Sequence, residues 1–291
     1  MVKKVKKAVI PVAGFGTRFM PYTKAVPKAM LPIVNIPAIQ IIADEVVKSG
    51  ITDILFIVGY RAEVIKNHFS ASPELDVALL KANKTDFYNA VKYPETMANI
   101  SYVTQEELNG TAGALKYAKD FVGNDPFAIL FGDDVMYNAD YPVTKQLIDV
   151  YEKTGKAVIG CANVLREEVP KYASVEYSSV ENGGIYNVTK IVEKPKLEDV
   201  KSTLSPLGRY VVESNVFDII EGLTPAPNGE YYFTDVLDYL ASQNKAVAYV
   251  YDAIHYDMGS RLGYLKANIE YGLRDKELGA ELKEYIKELV K

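Results

Sequence analysis

The chain predicts a doubly wound α/β fold, a mostly parallel sheet covered by helices on both faces. Three observations carry this: short β-branched runs alternate with longer stretches of helical period, the runs are apolar almost throughout, and the rhythm changes after about Gly160. Alternating strands and helices are the mark of βαβ crossovers, and a strand without inside–outside alternation has both faces buried. The first run is Ala8 to Ala13. A helix is predicted from Ala38 to Ser49, with Ile39, Ile42, Ala43 and Val46 on one face. Then come a strand from Ile54 to Val58, a helix after Arg61, a helical insertion between about Ala71 and Ala98, and a strand from Ile100 to Thr104. A helix from about Ala112 to Phe121 and a strand from Phe127 to Phe131 complete the regular part. Beyond Gly160 the strands Ser174 to Tyr177, Ile185 to Val192 and Arg209 to Val212 have only polar loops or short helical turns between them, which predicts an antiparallel extension. A strand from Ala246 to Tyr251 follows. Two amphipathic helices close the chain, Ser260 to Leu273 and Lys276 to Val290, the second with Leu278, Leu282, Ile286 and Leu289 at helical spacing. With no linker, repeat or low-complexity segment, one domain is expected over residues 1–291. Its parts run over about 1–160, 161–259 and 260–291.

The 291 residues hold 33 basic and 38 acidic side chains, a formal charge of −5, with 48% hydrophobic residues. That is the composition of a globular protein with a sizeable core. It offers no basic stripe for a nucleic-acid polymer, and leaves a nucleotide-sized ligand open. One cysteine cannot form an internal disulfide, and with two histidines it cannot build the usual zinc sites. A cytoplasmic protein is expected. The cationic start Val2 to Lys7 followed by an apolar run resembles a signal peptide. However, the run is short, is broken by Pro11, Gly14 and Gly16, and has no small-residue cleavage pattern. No apolar run approaches the roughly 18 residues of a membrane span.

The first strand ends in Ala13-Gly14-Phe15-Gly16-Thr17-Arg18, followed by Lys24 and Lys28, each near a proline. Glycines let backbone N–H groups approach an anion, and Arg18, Lys24 and Lys28 are placed to neutralise a polyphosphate. A Gly-x-Gly turn alone is equally well a tight turn; the added cations and prolines make the pattern specific. A dinucleotide loop would need a third small residue where Phe19 stands, and no Gly-Lys-Ser/Thr of an ATPase loop occurs. Gly132-Asp133-Asp134 follows a strand directly, at the sheet edge where open α/β folds bind ligands. It reads either as a magnesium site or as a strand-ending turn, with Asp257 as a second ligand. Glu193-Lys194 reads as a surface ion pair, or as a sugar-hydroxyl acceptor beside a phosphate-binding cation. Gly208-Arg209-Tyr210, Gly229-Glu230 and Thr234-Asp235 mark further loops, the last also readable as a helix N-cap. Neither histidine nor Cys161 sits in a nucleophile–base pattern. The chemistry is therefore one that needs no histidine. Attack by an ionised phosphate oxygen on a nucleotide α-phosphorus meets that requirement, since alignment, metal and cations suffice.

On these motifs the chain resembles the sugar-phosphate nucleotidyltransferases, and among them the bacterial UTP-glucose-1-phosphate uridylyltransferases. The resemblance runs from about Val5 to Gly279. It rests on Ala8 to Arg18, Thr23 to Lys28, Met30-Leu31-Pro32, Pro37, Ile39-Gln40, Gln105 with Gly110, Gly132-Asp133-Asp134, Val192 to Pro195, Gly208 to Val211, Gly229-Glu230 with Thr234-Asp235, and Tyr256-Asp257 with Gly259 and Leu262-Gly263. It implies a Rossmann-like nucleotidyltransferase fold and magnesium-dependent uridylyl transfer from UTP to glucose 1-phosphate. By the same resemblance, residues 1–160 bind the nucleotide and 161–259 the sugar phosphate. Ala13, Gly14, Gln105 and Gly110 would contact the base; Gly16, Thr17, Arg18 and Lys28 would surround the triphosphate. Asp133 and Asp257 would hold the Mg2+, Lys194 the sugar phosphate, and Glu193, Gly208 and Tyr172 the sugar. Arg18, Lys28 and Lys194 are the expected catalytic cations, and a homo-oligomer is expected, with the last helix as a candidate contact.

Three stretches depart from the uridylyltransferase pattern. Gly-Leu-Gly-His-Ala is Gly110-Thr111-Ala112-Gly113-Ala114 here, Tyr-Gly is Tyr172-Ala173, and Ile-Gln-Leu is Tyr231-Tyr232-Phe233. The first bears on the base and the others on the sugar. Another nucleotide or hexose 1-phosphate, or a non-catalytic sugar-nucleotide sensor on the same fold, are the alternative readings.

Overall fold

The computed structural model describes residues 2–181 and 183–290. Strand β1 (Lys7–Pro11) leads through the glycine loop to a hairpin of β2 (Pro32–Ile33) and β3 (Ile36–Pro37), then to α1 (Ala38–Lys48). Next are β4 (Asp53–Val58), α2 (Ala62–His68), the inserted pair α3 (Pro73–Lys81) and α4 (Thr85–Thr96), and β5 (Asn99–Thr104). They are followed by α5 (Thr111–Leu115), α6 (Lys119–Val122), β6 (Phe127–Leu130), β7 (Asp134–Tyr137) and α7 (Val143–Thr154). The second half holds β8 (Ala157–Asn163), β9 (Ala173–Glu181), β10 (Ile185–Glu193), β11 (Leu204–Val212), α8 (Val216–Glu221) and α9 (Phe233–Ser242). Strands β12 (Ala246–Val250) and β13 (Ile254–Asp257) and helices α10 (Arg261–Arg274) and α11 (Gly279–Leu289) end the chain.

Nine strands form one sheet in the order β5-β4-β1-β6-β11-β8-β12-β10-β9. The pairs β5–β4, β4–β1, β1–β6 and β8–β12 are parallel. Strand β11 opposes both β6 and β8, and β10 opposes both β12 and β9. Seven strands therefore share a direction and two run against it. The antiparallel extension is the β10–β9 edge; β11, expected there too, lies well inside the sheet. Its nine residues are all buried, as a strand covered on both faces must be.

Alternate residues along the central strands feed two separate cores, one on each face. Ile10, Phe56, Leu130 and Val211 face α1 and α7, while Val9, Ile57, Ile129 and Tyr210 face the side of α5, α8 and α9. Helix α7 carries Val143, Leu147, Val150 and Tyr151 on its buried side, and α9 carries Phe233, Val236, Leu237 and Leu240. The helix expected from Ala112 to Phe121 is instead broken into α5, a single 3-10 turn and α6. The Ala112 N–H, a first-turn donor without an intrahelical partner, donates to the Tyr231 carbonyl (2.9 Å). No helix among the described residues is long and apolar enough to cross a membrane.

Candidate active site

A cavity of about 450 Å³ opens along the strand ends, crossing the sheet from β1 to β10. Its lining joins Ala13, Gly14, Gln105 and Gly110 to Asp133, Asp134, Tyr172, Glu193, Lys194 and Gly208. Residues from both halves of the chain thus meet in one space: the C-terminal ends of the parallel strands β1, β5 and β6 deliver the first-half residues, while Tyr172, Glu193, Lys194 and Gly208 come from the start of β9, the end of β10 and the middle of β11. Gly16, Thr17, Arg18, Lys28 and Asp257 are not part of this lining; Lys28 joins it through its ion pair with Asp133, and Gly16 packs on the Lys28 stem.

The glycine loop is short and stiff. Gly16 has φ +64°, and a Cβ there would come within 2.8 Å of the Lys28 Cβ. Only glycine lets the loop lie this close to the lysine stem in a left-handed conformation. The Thr23 hydroxyl donates to the Gly16 carbonyl (2.9 Å). Lys24 takes another course: it lines a separate shallow recess with Phe15, Met20 and Tyr60, and the Tyr60 hydroxyl donates to its carbonyl. Of the three expected polyphosphate cations, the structure brings Arg18 and Lys28 to the carboxylates and leaves Lys24 outside.

Two carboxylates converge there through a small second sheet. Strands β7 and β13 pair antiparallel with Asp134 opposite Asp257, and the Met258 N–H extends the ladder to the Asp133 carbonyl (2.7 Å). Asp257 Oδ1, Asp133 Oδ2 and Arg18 Nη1 all lie within 3.4 Å of the point a Cβ on Gly259 would occupy. Lys28 Nζ stands 2.6 Å from Asp133 Oδ2, and Arg18 donates to the Gly259 carbonyl (3.2 Å). Burial, together with the charges of Asp134 and Asp133, pushes the Asp257 carboxyl above its ordinary range. Burial and neighbouring carboxylates both favour a cation beside Asp257. Its donors are hard oxygens, and no group of three or more His, Cys, Asp or Glu capable of holding a metal occurs among the described residues. Magnesium fits this set, since it takes one or two protein carboxylates and completes its shell with phosphates and water.

Asp134 has a different task from its neighbour. Its side chain lies under Gly208 and shares a 2.6 Å hydrogen bond with His255 Nε2. Burial pushes this carboxyl up, but His255, Arg209 and Lys28 outweigh it and hold the group below the usual carboxylate range. Behind it, Arg209 donates to the Asp134 carbonyl (2.7 Å) and to Gly208 (3.0 Å) while bridging to Glu45 on α1 (2.8 Å). Glu45 also accepts from the Thr144 N–H and hydroxyl. The sequence marked Asp134 and Gly208-Arg209-Tyr210 but not Glu45 or Thr144, and together this buried chain fixes the floor of the cavity.

On the nucleotide-side loop, Gln105 Nε2 donates to the Glu107 carbonyl (2.7 Å). Gly110 has φ +97°, and a Cβ there would come within 2.5 Å of the Tyr231 carbonyl oxygen. Thus Gly110 is needed for the chain crossing as well as for access to the cavity. Ala112 and Gly113 are not part of the lining, whereas Thr111 and Ala114 are. The departure at Gly113 lies behind the wall, where the Asn109 amide fills the space a side chain would take. On the other side, the Thr234 hydroxyl donates to Glu193 Oε2 (3.0 Å), which replaces the N-cap role its sequence position suggested. Burial raises the Glu193 carboxyl above its ordinary value. Tyr172, half-buried, has its hydroxyl pushed up to about 12 by burial and by Asp257 and Asp134. Glu193 and Lys194 do form the ion pair their adjacency suggests (3.7 Å), but at the cavity wall.

A mainly parallel α/β sheet whose edge gathers a left-handed glycine loop, paired carboxylates and cations at and beside one cavity is the architecture of a nucleotide-dependent transferase. The chain belongs to the nucleotidyl transferase family, whose model matches residues 7–272. It is 43% identical over 288 residues, 99% of each chain, to a UTP-glucose-1-phosphate uridylyltransferase of Staphylococcus epidermidis. Among solved structures it is similar to a UTP-bound UGPase from Acinetobacter baumannii, with TM-score 0.90, 33% identity and 98% and 99% of the two chains covered. A UDP-glucose pyrophosphorylase complexed with UDP-glucose superimposes with TM-score 0.85 at 32% identity, covering 93% of this chain and all of the other.

Proposed function

We infer that the protein transfers a uridylyl group from UTP to glucose 1-phosphate, forming UDP-glucose and pyrophosphate. The observation that carries this is the convergence of Asp133, Asp257, Arg18 and Lys28 between the nucleotide-side loop and the sugar-side wall. The 43% identity to a uridylyltransferase over 99% of both chains supports the choice of substrates. In this reading a phosphate oxygen of the sugar phosphate forms a bond to the α-phosphorus of the nucleotide. The bond from the α-phosphorus to the α–β bridging oxygen breaks, and its electron pair leaves with pyrophosphate. The nucleophile is already ionised, so no general base is required.

Ala13, Gly14, Gln105 and Gly110 receive the base, and Gly16, Thr17, Arg18 and Lys28 the triphosphate. Arg18 and Lys28 offset the charge that gathers on the departing pyrophosphate, a preorganised electrostatic effect. Lys194 binds the sugar phosphate; Glu193, Tyr172 and the Gly208 backbone orient the sugar. Asp133 and Asp257 would hold Mg2+, which when bound would supply neutralisation of phosphate charge. Placement in the cytoplasm accords with the single buried, free Cys161.

The test is pyrophosphate release with Mg2+, each nucleoside triphosphate in turn, and a panel of hexose 1-phosphates. UTP with glucose 1-phosphate should react fastest, and Asp133→Ala should abolish turnover with the fold intact. A faster reaction with another pair would reassign the substrates. Binding of UDP-glucose without turnover would make the protein a sensor.

A further inference from the structure

We propose that Tyr232 is a positioning residue that holds the Lys194 ammonium over the sugar-phosphate side of the cavity and ties it to the nucleotide-side loop. The proposal rests on the reading of Lys194 as the sugar-phosphate cation. Lys194 is a non-glycine residue at φ +42°, and its N–H donates to the Tyr172 carbonyl (2.8 Å). A left-handed conformation is unfavourable for lysine and persists only where its surroundings enforce it. The side chain is 55% exposed, so its long stem needs a separate restraint.

That restraint is an aromatic face. Lys194 Nζ lies 5.5 Å from the centroid of the Tyr232 ring, within the range of a cation–π contact. The ring is itself anchored, because Asn228 Nδ2 donates to the Tyr232 hydroxyl (2.7 Å) and the Glu230 N–H donates to Asn228 Oδ1 (3.1 Å). Both neighbours of Tyr232 are fastened to the nucleotide-side loop. The Tyr231 N–H donates to the Asn109 carbonyl (2.8 Å), and its carbonyl accepts from the Ala112 N–H (2.9 Å). The Phe233 N–H donates to the Thr111 hydroxyl oxygen (2.9 Å). Two of the departures from the uridylyltransferase pattern, at Thr111 and at Tyr231-Tyr232-Phe233, are therefore one contact. A leucine at 111 could not accept the Phe233 N–H, and a glutamine at 232 would offer Lys194 no ring.

The test compares steady-state kinetics of Tyr232→Leu, Tyr232→Phe, Lys194→Ala and the double variant Tyr232→Leu/Lys194→Ala. Tyr232→Leu is expected to raise KM for glucose 1-phosphate about two- to fivefold, the worth of a half-exposed cation–π contact. KM for UTP should change less than twofold. Tyr232→Phe keeps the ring and should restore most of the loss, which a purely structural role of the hydroxyl would not allow. In the Lys194→Ala background, Tyr232→Leu should add nothing. If Lys194→Ala raises KM for glucose 1-phosphate and Tyr232→Leu does not, the positioning role is overturned while the reading of Lys194 stands. An equal loss in both backgrounds would make Tyr232 a direct substrate contact and overturn it as well. Were Lys194→Ala to leave that KM unchanged, the assignment of Lys194 would fall, and the role of Tyr232 with it.

Discussion

Gly110 shows how much one missing methyl group decides. At φ +97°, with the Tyr231 carbonyl oxygen 2.5 Å from the place a Cβ would take, alanine must both strain the backbone and push the two loops apart. Gly110→Ala is expected to lower kcat/KM on the order of 10²-fold, the scale of a roughly 1 Å misplacement near reacting groups. Assay of the variant at saturating and limiting UTP checks this, and near-native activity would mean that the loops separate freely. His68 makes a second prediction at the same scale. Burial beside Gln40 and Phe69 lowers its pKa from the ordinary value near 6.5. The unfolded chain then takes up the proton first, so this contribution to stability is complete above pH 6.5 and is lost as pH falls toward the folded value. The loss is at most about 1.4 kcal/mol per pH unit. Urea midpoints at pH 7 and pH 5 should converge in His68→Leu relative to the wild type.

The elements are joined where they could most easily have drifted apart. Helix α1 is linked to β11 by the Glu45–Arg209 pair, whose side chains are 7% and 1% exposed. Buried pairs of this kind are weak sources of net stability, but removing one partner leaves an uncompensated charge. Arg209→Met is expected to destabilise the protein by about 3–5 kcal/mol in urea unfolding, with much of that recovered in Glu45→Met/Arg209→Met. The double variant should still lose activity, because the Arg209 guanidinium also supports the Asp134 and Gly208 carbonyls in the cavity floor. Full activity in the double variant would show that the floor needs no such support.

At the scale of the whole molecule, a group of exposed apolar side chains lies on the last two helices. Leu262, Leu265 and Ile269 of α10 are exposed, as are Leu278, Tyr285, Leu289 and Val290 on and around α11. Leu282 is drawn against Gly272 of α10, so the stripe expected on the last helix divides: Leu282 packs inward while Leu278 and Leu289 point outward. We propose this face as the homo-oligomer contact, since patches of exposed apolar residues commonly mark association surfaces. Tyr285→Glu/Leu289→Glu should shift the light-scattering mass to that of one chain, 32.3 kDa, without lowering the melting temperature. An unchanged mass would remove α11 from the interface.

Much of this was legible in the sequence, where the chemistry is local. The strand runs, the helix from Ala38, the glycine loop with Arg18 and Lys28, and the Asp133-Asp134 turn are each set by neighbours a few residues apart. Periodicity and turn chemistry act over that range. Helices α7 and α9, which are not among the elements predicted from the sequence, carry the same signal, in Val143, Leu147, Val150 and Tyr151 and in Phe233, Val236, Leu237 and Leu240. What no local pattern contained was partnership. The two aspartates of Asp133-Asp134 look equivalent in sequence, yet one faces Lys28 and the other is buried against His255, 121 residues away. Likewise Thr111 and Tyr232 stand out as separate oddities until the fold brings their loops together. Hydrogen bonds and ion pairs between distant segments depend on which strands become neighbours in the sheet. That order is decided by burial of both sheet faces at once, a property of the whole chain and of no segment within it.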